Sequence, residues 1–303
     1  MAPNSSSPLP GQKMGHDQLF KAVLEKFFRD FLELFFPAVA QRLDFGTLVF
    51  LDKELFVDLP QGPTREVDVV AGLETHEGEP ETVLVHIEVQ SRPEKGFARR
   101  MFEYSVLLWL RHQAPIFPVV LYLQGGEGLT DEQYRTRLFG RETFRFDYAS
   151  VGLARLRAEE YVETGPLGAA LAVLMAPIKR ADPVAFEADL MRRVAKSGLD
   201  DFRKFLLFDV IETYSRLSAE ERARFERLIS RKEYRTVQKV KETWSDRMRA
   251  EGKRETLLRQ LKAKFGPLAP ETIMKVDAIR SPEELDAYLD RILTAESLEE
   301  MGL

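Results

Sequence analysis

The 303-residue chain contains no cysteine, only four histidines and only two tryptophans. The lack of cysteine removes structural disulfides, thiol nucleophiles and thiolate-bound zinc from the available chemistry, and it suits a reducing compartment. No run approaches the roughly 18–20 apolar residues needed to cross a bilayer. The opening MAPNSSSPLPGQKMG has neither the basic nor the apolar part of a secretory signal. Residues 1–15 are therefore expected to be a disordered tail, and the protein to be soluble and cytoplasmic with no membrane partner. An overall positive charge is missing too. The net charge is −5, so any surface for nucleic acid must be local.

What is present is an ordinary globular composition, 44% hydrophobic and 31% charged, long enough to bury a sizeable core. Over residues 16–43, Leu19, Phe20, Val23, Leu24, Phe27 and Phe28 recur at three- and four-residue spacing, and Phe31, Leu34 and Phe35 continue the pattern to a break at Pro37. That is a helical face, with the phenylalanines as core or in part a subunit interface. Residues 47–60 and 65–74 read as strands. In ETVLVHIEVQS (81–91) the alternation of Val83, Val85, Ile87 and Val89 gives a third, antiparallel to the second. A helix over 94–113, with an apolar face at Met101, Tyr104, Val106, Leu107, Leu108 and Leu110, leads to a short buried strand over 115–126 that ends in Gly125 and Gly126. Strand, helix, strand predicts a parallel pair joined by a crossover.

A carboxylate is out of place in so apolar a strand. On the third strand His86, Glu88 and Gln90 share one face. On the second, Val67, Val69 and Ala71 share one face while Glu66, Asp68 and Val70 point the other way. Neighbouring strands lie about 4.8 Å apart, so a suitable register gathers Asp68, Glu88 and Gln90 around one point. Two acids placed there repel, and their burial is unfavourable unless a cation or a proton compensates. A hard divalent ion is the simplest compensation, and Mg²⁺ typically takes one or two carboxylates.

The pattern of Asp68 followed by Glu88-x-Gln90 on the next strand resembles the PD-(D/E)xK nucleases. The flanks HDQLFK (16–21), REVDVV (65–70) and HIEVQSRPEKGFARRMFEYS (86–105) look like the recombination-promoting nuclease / putative transposase (Rpn) family. Residues 257–300 look like the short helical module that often ends such chains. The resemblance implies an α/β mixed sheet flanked by helices, cleavage of DNA with Mg²⁺ or Mn²⁺, and a link to recombination or mobile elements. It makes Asp68 and Glu88 metal ligands together with the Val89 carbonyl, and puts Gln90 where many relatives carry lysine. An amide has no charge and is no base at neutral pH, which shifts the work onto the metal. Lys95, Arg99 and Arg100, which open the next helix, could restore positive charge near a phosphate. The first helix could add a carboxylate, Glu25 or alternatively Asp17, and His86 is a candidate support for Glu88.

The second half reads as helical. Ser218 with Glu221 forms a capping box, and Ser281, Pro282 and Glu284 another. Residues 231–264 hold 12 Lys/Arg against 5 Asp/Glu, whereas residues 16–125 hold 11 against 17, so this helix is the best phosphate-tracking candidate if DNA is bound. Trp244 and Met248 on it suggest packing against another helix or a second copy of the chain. The expected organisation is a tail (1–15), a nuclease-like core (16–150), a helical extension (151–252) and a terminal module (253–303). The rival expectation is a catalytically inactive subunit that keeps the nuclease fold for DNA binding or protein interaction.

Overall fold

The computed structural model describes residues 16–51, 67–76, 82–178, 181–279 and 281–303, with the side chains of 16–17 and 244–248 left aside. The alternative acid Asp17, the facing of Glu66, the strand over 52–60 and the packing of Trp244 and Met248 lie outside what is described.

The helical face over 16–43 divides into α1 (His16–Lys26), α2 (Phe28–Phe35) and α3 (Pro37–Ala40). Among the described residues there follow β1 (Leu43–Phe50), β2 (Val69–Thr75), β3 (Thr82–Gln90), α4 (Phe97–His112), β4 (Ile116–Tyr122), β5 (Leu129–Leu138) and β6 (Arg141–Gly152). They form a six-stranded sheet in the order β1-β2-β3-β4-β6-β5. β2 and β3 are antiparallel and β3 and β4 parallel, as the strand–helix–strand pattern predicts. The hairpin of β5 and β6 has no counterpart in that reading. Over residues 134–146 its alternation is mostly polar against aromatic, while the end of β6, with Ala149 and Val151, joins the core.

The sheet's two faces alternate along every strand. Val69, Ala71, Val85, Ile87, Val89, Val119 and Leu121 pack against the buried face of α1 and α2, with Phe20, Phe27, Phe28 and Phe31 at its centre. The phenylalanine cluster is thus core. On the opposite face Val70, Leu84, Val120 and Tyr122 meet Phe97, Met101, Tyr104 and Leu108 of α4. Two sequence expectations fail here. Val67 packs with Val70 and Leu84 rather than with Val69 and Ala71, because the chain bends at Asp68 and the alternation restarts. Leu110, placed by spacing on the buried face of α4, is 56% exposed, because at about 3.6 residues per turn it lies about 200° around the helix from the buried Leu108.

Gly126 has φ +72°, and a Cβ there would lie 2.9 Å from the Gly152 Cα. The glycines after β4 therefore let the turn lie directly on β6, a close-packing role.

Beyond the sheet come α5 (Ala158–Tyr161), α6 (Pro166–Leu171), α7 (Pro183–Lys196), α8 (Asp201–Tyr214), α9 (Ala219–Ile229), α10 (Arg235–Phe265), α11 (Pro270–Ala278), α12 (Pro282–Arg291) and α13 (Leu298–Met301). Buried side chains of α6, α7 and α8 join the core on the α1 side. A separate apolar cluster ties the end of α10 to α11, α12 and α13 through Ala250, Leu257, Leu261, Val276, Leu285 and Met301. The Ser218–Glu221 capping box is complete. The second is half formed: the Glu284 N–H donates to Ser281 Oγ, while that hydroxyl turns to Glu283 Oε2 at 2.7 Å.

Candidate active site

Val69 opposite Ile87 is the last rung of the β2–β3 ladder. One step further in the same register Asp68 stands opposite Glu88, but Asp68 sits in the bend ahead of β2. Side chains take over where the ladder stops. The Asp68 N–H donates to Glu88 Oε1 (3.2 Å), and the Val89 N–H donates to Asp68 Oδ2 (2.8 Å). Each carboxylate thus caps the other strand's backbone, and the two acids are held at one end of the sheet.

Glu88 is buried, as is His86 two residues earlier on the same face. His86 Nε2 lies 2.9 Å from Glu88 Oε1. A carboxylate only accepts, so Nε2 is the donor of this hydrogen bond. Nδ1 is buried and without a hydrogen-bond partner, and the ring stands edge-on to Tyr104 of α4, with centroids 5.8 Å apart. Glu88 Oε1 therefore takes two donors, whereas Oε2 has no hydrogen bond among the described residues.

Asp68 faces a different neighbour. Lys21 Nζ, reaching from α1, lies 2.9 Å from Asp68 Oδ1. Burial, and next the charge of Glu88, push the Asp68 carboxyl above the usual carboxylate range, while Lys21 and the Val89 N–H pull it back. Among the described residues, two carboxylates therefore share this corner with one ammonium. Lys21 is the residue that sequence reasoning missed. The signal was there: it precedes the buried Leu24 and Phe28 by three and seven residues, so it belongs to the helix's inward stripe, where a lysine needs a partner.

The other candidates fall around this corner unequally. Gln90 lies at the end of β3, on the face of Glu88, half-buried and beside Tyr122 of β4. Its side chain has no hydrogen bond among the described residues. Glu25 is half-buried on α1, one turn beyond Lys21. Lys95 is exposed in the turn before α4. Arg99 is held by Glu103 at 2.8 Å, and Arg100 by Glu94 at 2.5 Å with its guanidinium over the Phe97 ring. Both arginines are engaged along their own helix and its approach.

No cluster of three or more His, Asp or Glu side chains able to hold a metal occurs among the described residues. The donor set that does occur is all oxygen: two carboxylates with lone pairs to spare, Glu88 Oε2 among them. The Val89 carbonyl adds to it, because N–H and C=O of one residue leave an extended strand on the same edge and the Val89 N–H already points to Asp68. Such a set suits a hard divalent cation that keeps several positions for water and phosphate.

Residues 14–123 match the family model described as "Putative transposase, YhgA-like". This stretch contains Lys21, Asp68, Glu88 and Gln90 and is similar to that family, and the mixed sheet with its flanking helices is consistent with a PD-(D/E)xK-like α/β fold. The family suggests a nuclease or mobile-element role and interaction with DNA. No curated protein and no solved structure matches the chain. No helix among the described residues is long and apolar enough to cross a membrane.

Proposed function

We propose that this chain with a YhgA-like N-terminal region is a metal-dependent DNA endonuclease, in which Asp68, Glu88 and the Val89 carbonyl hold Mg²⁺ or Mn²⁺. The observation that carries the reading is the pairing, among the described residues, of two buried-side carboxylates at the open end of a ladder against one ammonium. Left to itself that arrangement is electrostatically short of one positive charge. The bound ion would supply Lewis acidity toward water and toward a phosphate oxygen.

The chain's own residues do the rest. His86 and the Asp68 N–H fix the Glu88 carboxylate by one oxygen and leave the other for a ligand. Lys21 holds a positive charge at Asp68, compensating for the neutral Gln90. The Gln90 amide supplies a neutral N–H donor, which can orient a water or a phosphate oxygen but cannot take a proton.

A second reading has its own support. Both Asp68 oxygens and one Glu88 oxygen already accept from protein donors, so the corner can exist without an ion, as in an inactive nuclease fold kept for DNA or protein binding. Supercoiled plasmid incubated with Mg²⁺, Mn²⁺, Ca²⁺ or EDTA separates the two. The nuclease reading expects nicking with Mg²⁺ or Mn²⁺, none with EDTA, and none with Asp68→Ala or Glu88→Ala. DNA binding indifferent to metal and to both substitutions, with no nicking, decides for the inactive subunit.

A further inference from the structure

β6 pairs with β4 only over residues 149–152, yet with β5 over 141–151. Most of the hairpin therefore runs beyond the sheet as a two-stranded ribbon. Its tip is Phe139-Gly140, with φ +48° and +76°, the pair of left-handed residues that closes a two-residue hairpin. One side of the ribbon is anchored: Tyr134, Phe144 and Phe146 surround Phe102 of α4, with centroids 4.4–5.8 Å away. The other side is not. Phe139 at the apex is 93% exposed and Leu138 is 56% exposed.

Charge distinguishes this arm from the rest of the chain. Residues 135–145 hold four arginines and one glutamate, in a chain of net charge −5. Arg135 and Arg145 are directly opposite in register on the outer side, and like charges so placed destabilise a sheet. Glu142 and Asp147 reach them in part. Arg137 and Arg141, which flank the tip, are exposed and have no acidic partner among the described residues. The basic helix α10, by contrast, uses Lys241 on Glu212, Lys253 on Asp286 and Lys264 on the Ile292 carbonyl, so part of its charge is spent inside the fold.

We infer that the β5–β6 ribbon is a duplex-DNA arm, its arginines on phosphates and Phe139 in a groove. The inference rests on the DNA reading above. A two-stranded ribbon fits the major groove, and arginines beside an exposed apolar wedge suit the minor groove. Glu88, Val120 and Ser150 lie in one row across the sheet, and Arg141 is nine residues before Ser150. At about 3.3 Å per residue along β6 and about 4.8 Å for each of the two strand spacings to β3, the tip lies within about 40 Å of the carboxylates, a little more than one turn of the double helix.

The test is fluorescence anisotropy of the full chain on a 30-base-pair duplex in EDTA, so that binding is read without cleavage, across a series of salt concentrations. Plasmid nicking with Mg²⁺ is measured in parallel. Arg137→Ala/Arg141→Ala is expected to weaken binding by about tenfold and to lower the salt slope by about 2, one per lost phosphate contact. Phe139→Ala is expected to weaken binding with the slope unchanged. Binding and slope equal to wild type in all variants overturn the arm, and persisting nicking in that case leaves the nuclease reading standing. A wild-type chain that binds no duplex overturns the arm as well, and absence of nicking then removes the nuclease reading with it. Conversion of a dimer to a monomer by Phe139→Ala in light scattering, with DNA affinity intact, reassigns the ribbon to contact with a second copy of the chain.

Discussion

Two regions of this protein bury acids, and they balance them differently. Glu187 on α7 lies in the helical layer with Ser215 donating to Oε2 at 2.6 Å and Arg222 to Oε1 at 3.1 Å. One carboxylate there meets one guanidinium, and each oxygen has a donor. At the end of β2 and β3, among the described residues, two carboxylates meet one ammonium, and Glu88 Oε2 is left over. The first is what a structural buried ion pair needs. The second leaves one carboxylate oxygen without a donor among the described residues, which is the place the proposed cation would take.

The sharpest way to break that contrast is to remove the acids one at a time. Asp68→Ala and Glu88→Ala should lower nicking by about a thousandfold, the scale of losing a charge-stabilising group from a reaction centre. Glu187→Ala should leave nicking by the folded enzyme unchanged and destabilise the fold by about 2 kcal/mol in denaturant melts. If Glu187→Ala abolished nicking in a protein still folded, the two acids would not differ as described.

Stability in the presence of ions gives the next effect. A cation that binds only the folded chain adds about 2.7 kcal/mol at a hundred times its Kd. Thermal melts should therefore rise with Mg²⁺ or Mn²⁺ in the wild type and in Glu187→Gln, but not in Asp68→Asn or Glu88→Gln. Equal shifts in all four proteins would place the ion elsewhere.

Lys21 should matter less, because it assists. Lys21→Met is expected to reduce the nicking rate by about tenfold, comparable to one charge-assisted hydrogen bond, with Lys21→Arg recovering part of it. A Lys21→Met protein as active as wild type would confine the lysine to packing.

The smallest effect is in the pH dependence of folding. Burial raises the Glu187 carboxyl above its usual range despite Ser215 and Arg222. A raised folded value means that the folded chain holds this proton more tightly than the unfolded chain. The resulting stability is fully present below about pH 4.3 and is lost as pH rises through the folded value. Glu187→Gln stays neutral throughout, so its stability relative to wild type should increase as pH climbs from about 4 to 7. A constant difference over that window would contradict the direction of the shift.

Much of this was readable from local pattern. The alternation of Val83, Val85, Ile87 and Val89 marked β3, and the placing of Asp68 and Glu88 on neighbouring strands allowed a register that brings them together. The helix between β3 and β4 predicted their parallel pairing. Other features were hidden because they depend on three-dimensional reach. Lys21 is about fifty positions from Asp68, and nothing between them in sequence signals their contact. The bend at Asp68 moved Val67 to the other face. The ribbon of β5 and β6 escaped notice because it is stabilised by pairing with itself and by Phe102, with little of the apolar alternation that burial imposes.

The sequence alone determined which residues are apolar at which period, and therefore β2, β3 and β4, most helices and the two acids that cannot comfortably sit in a buried strand. Periodicity is a local property, carried by backbone geometry. Tertiary structure alone decided, among the described residues, which charge meets those acids, which oxygen stays open, and which arginines stand without acidic partners. Those outcomes depend on distances between segments far apart in the chain, and electrostatic interactions are set by distance and burial.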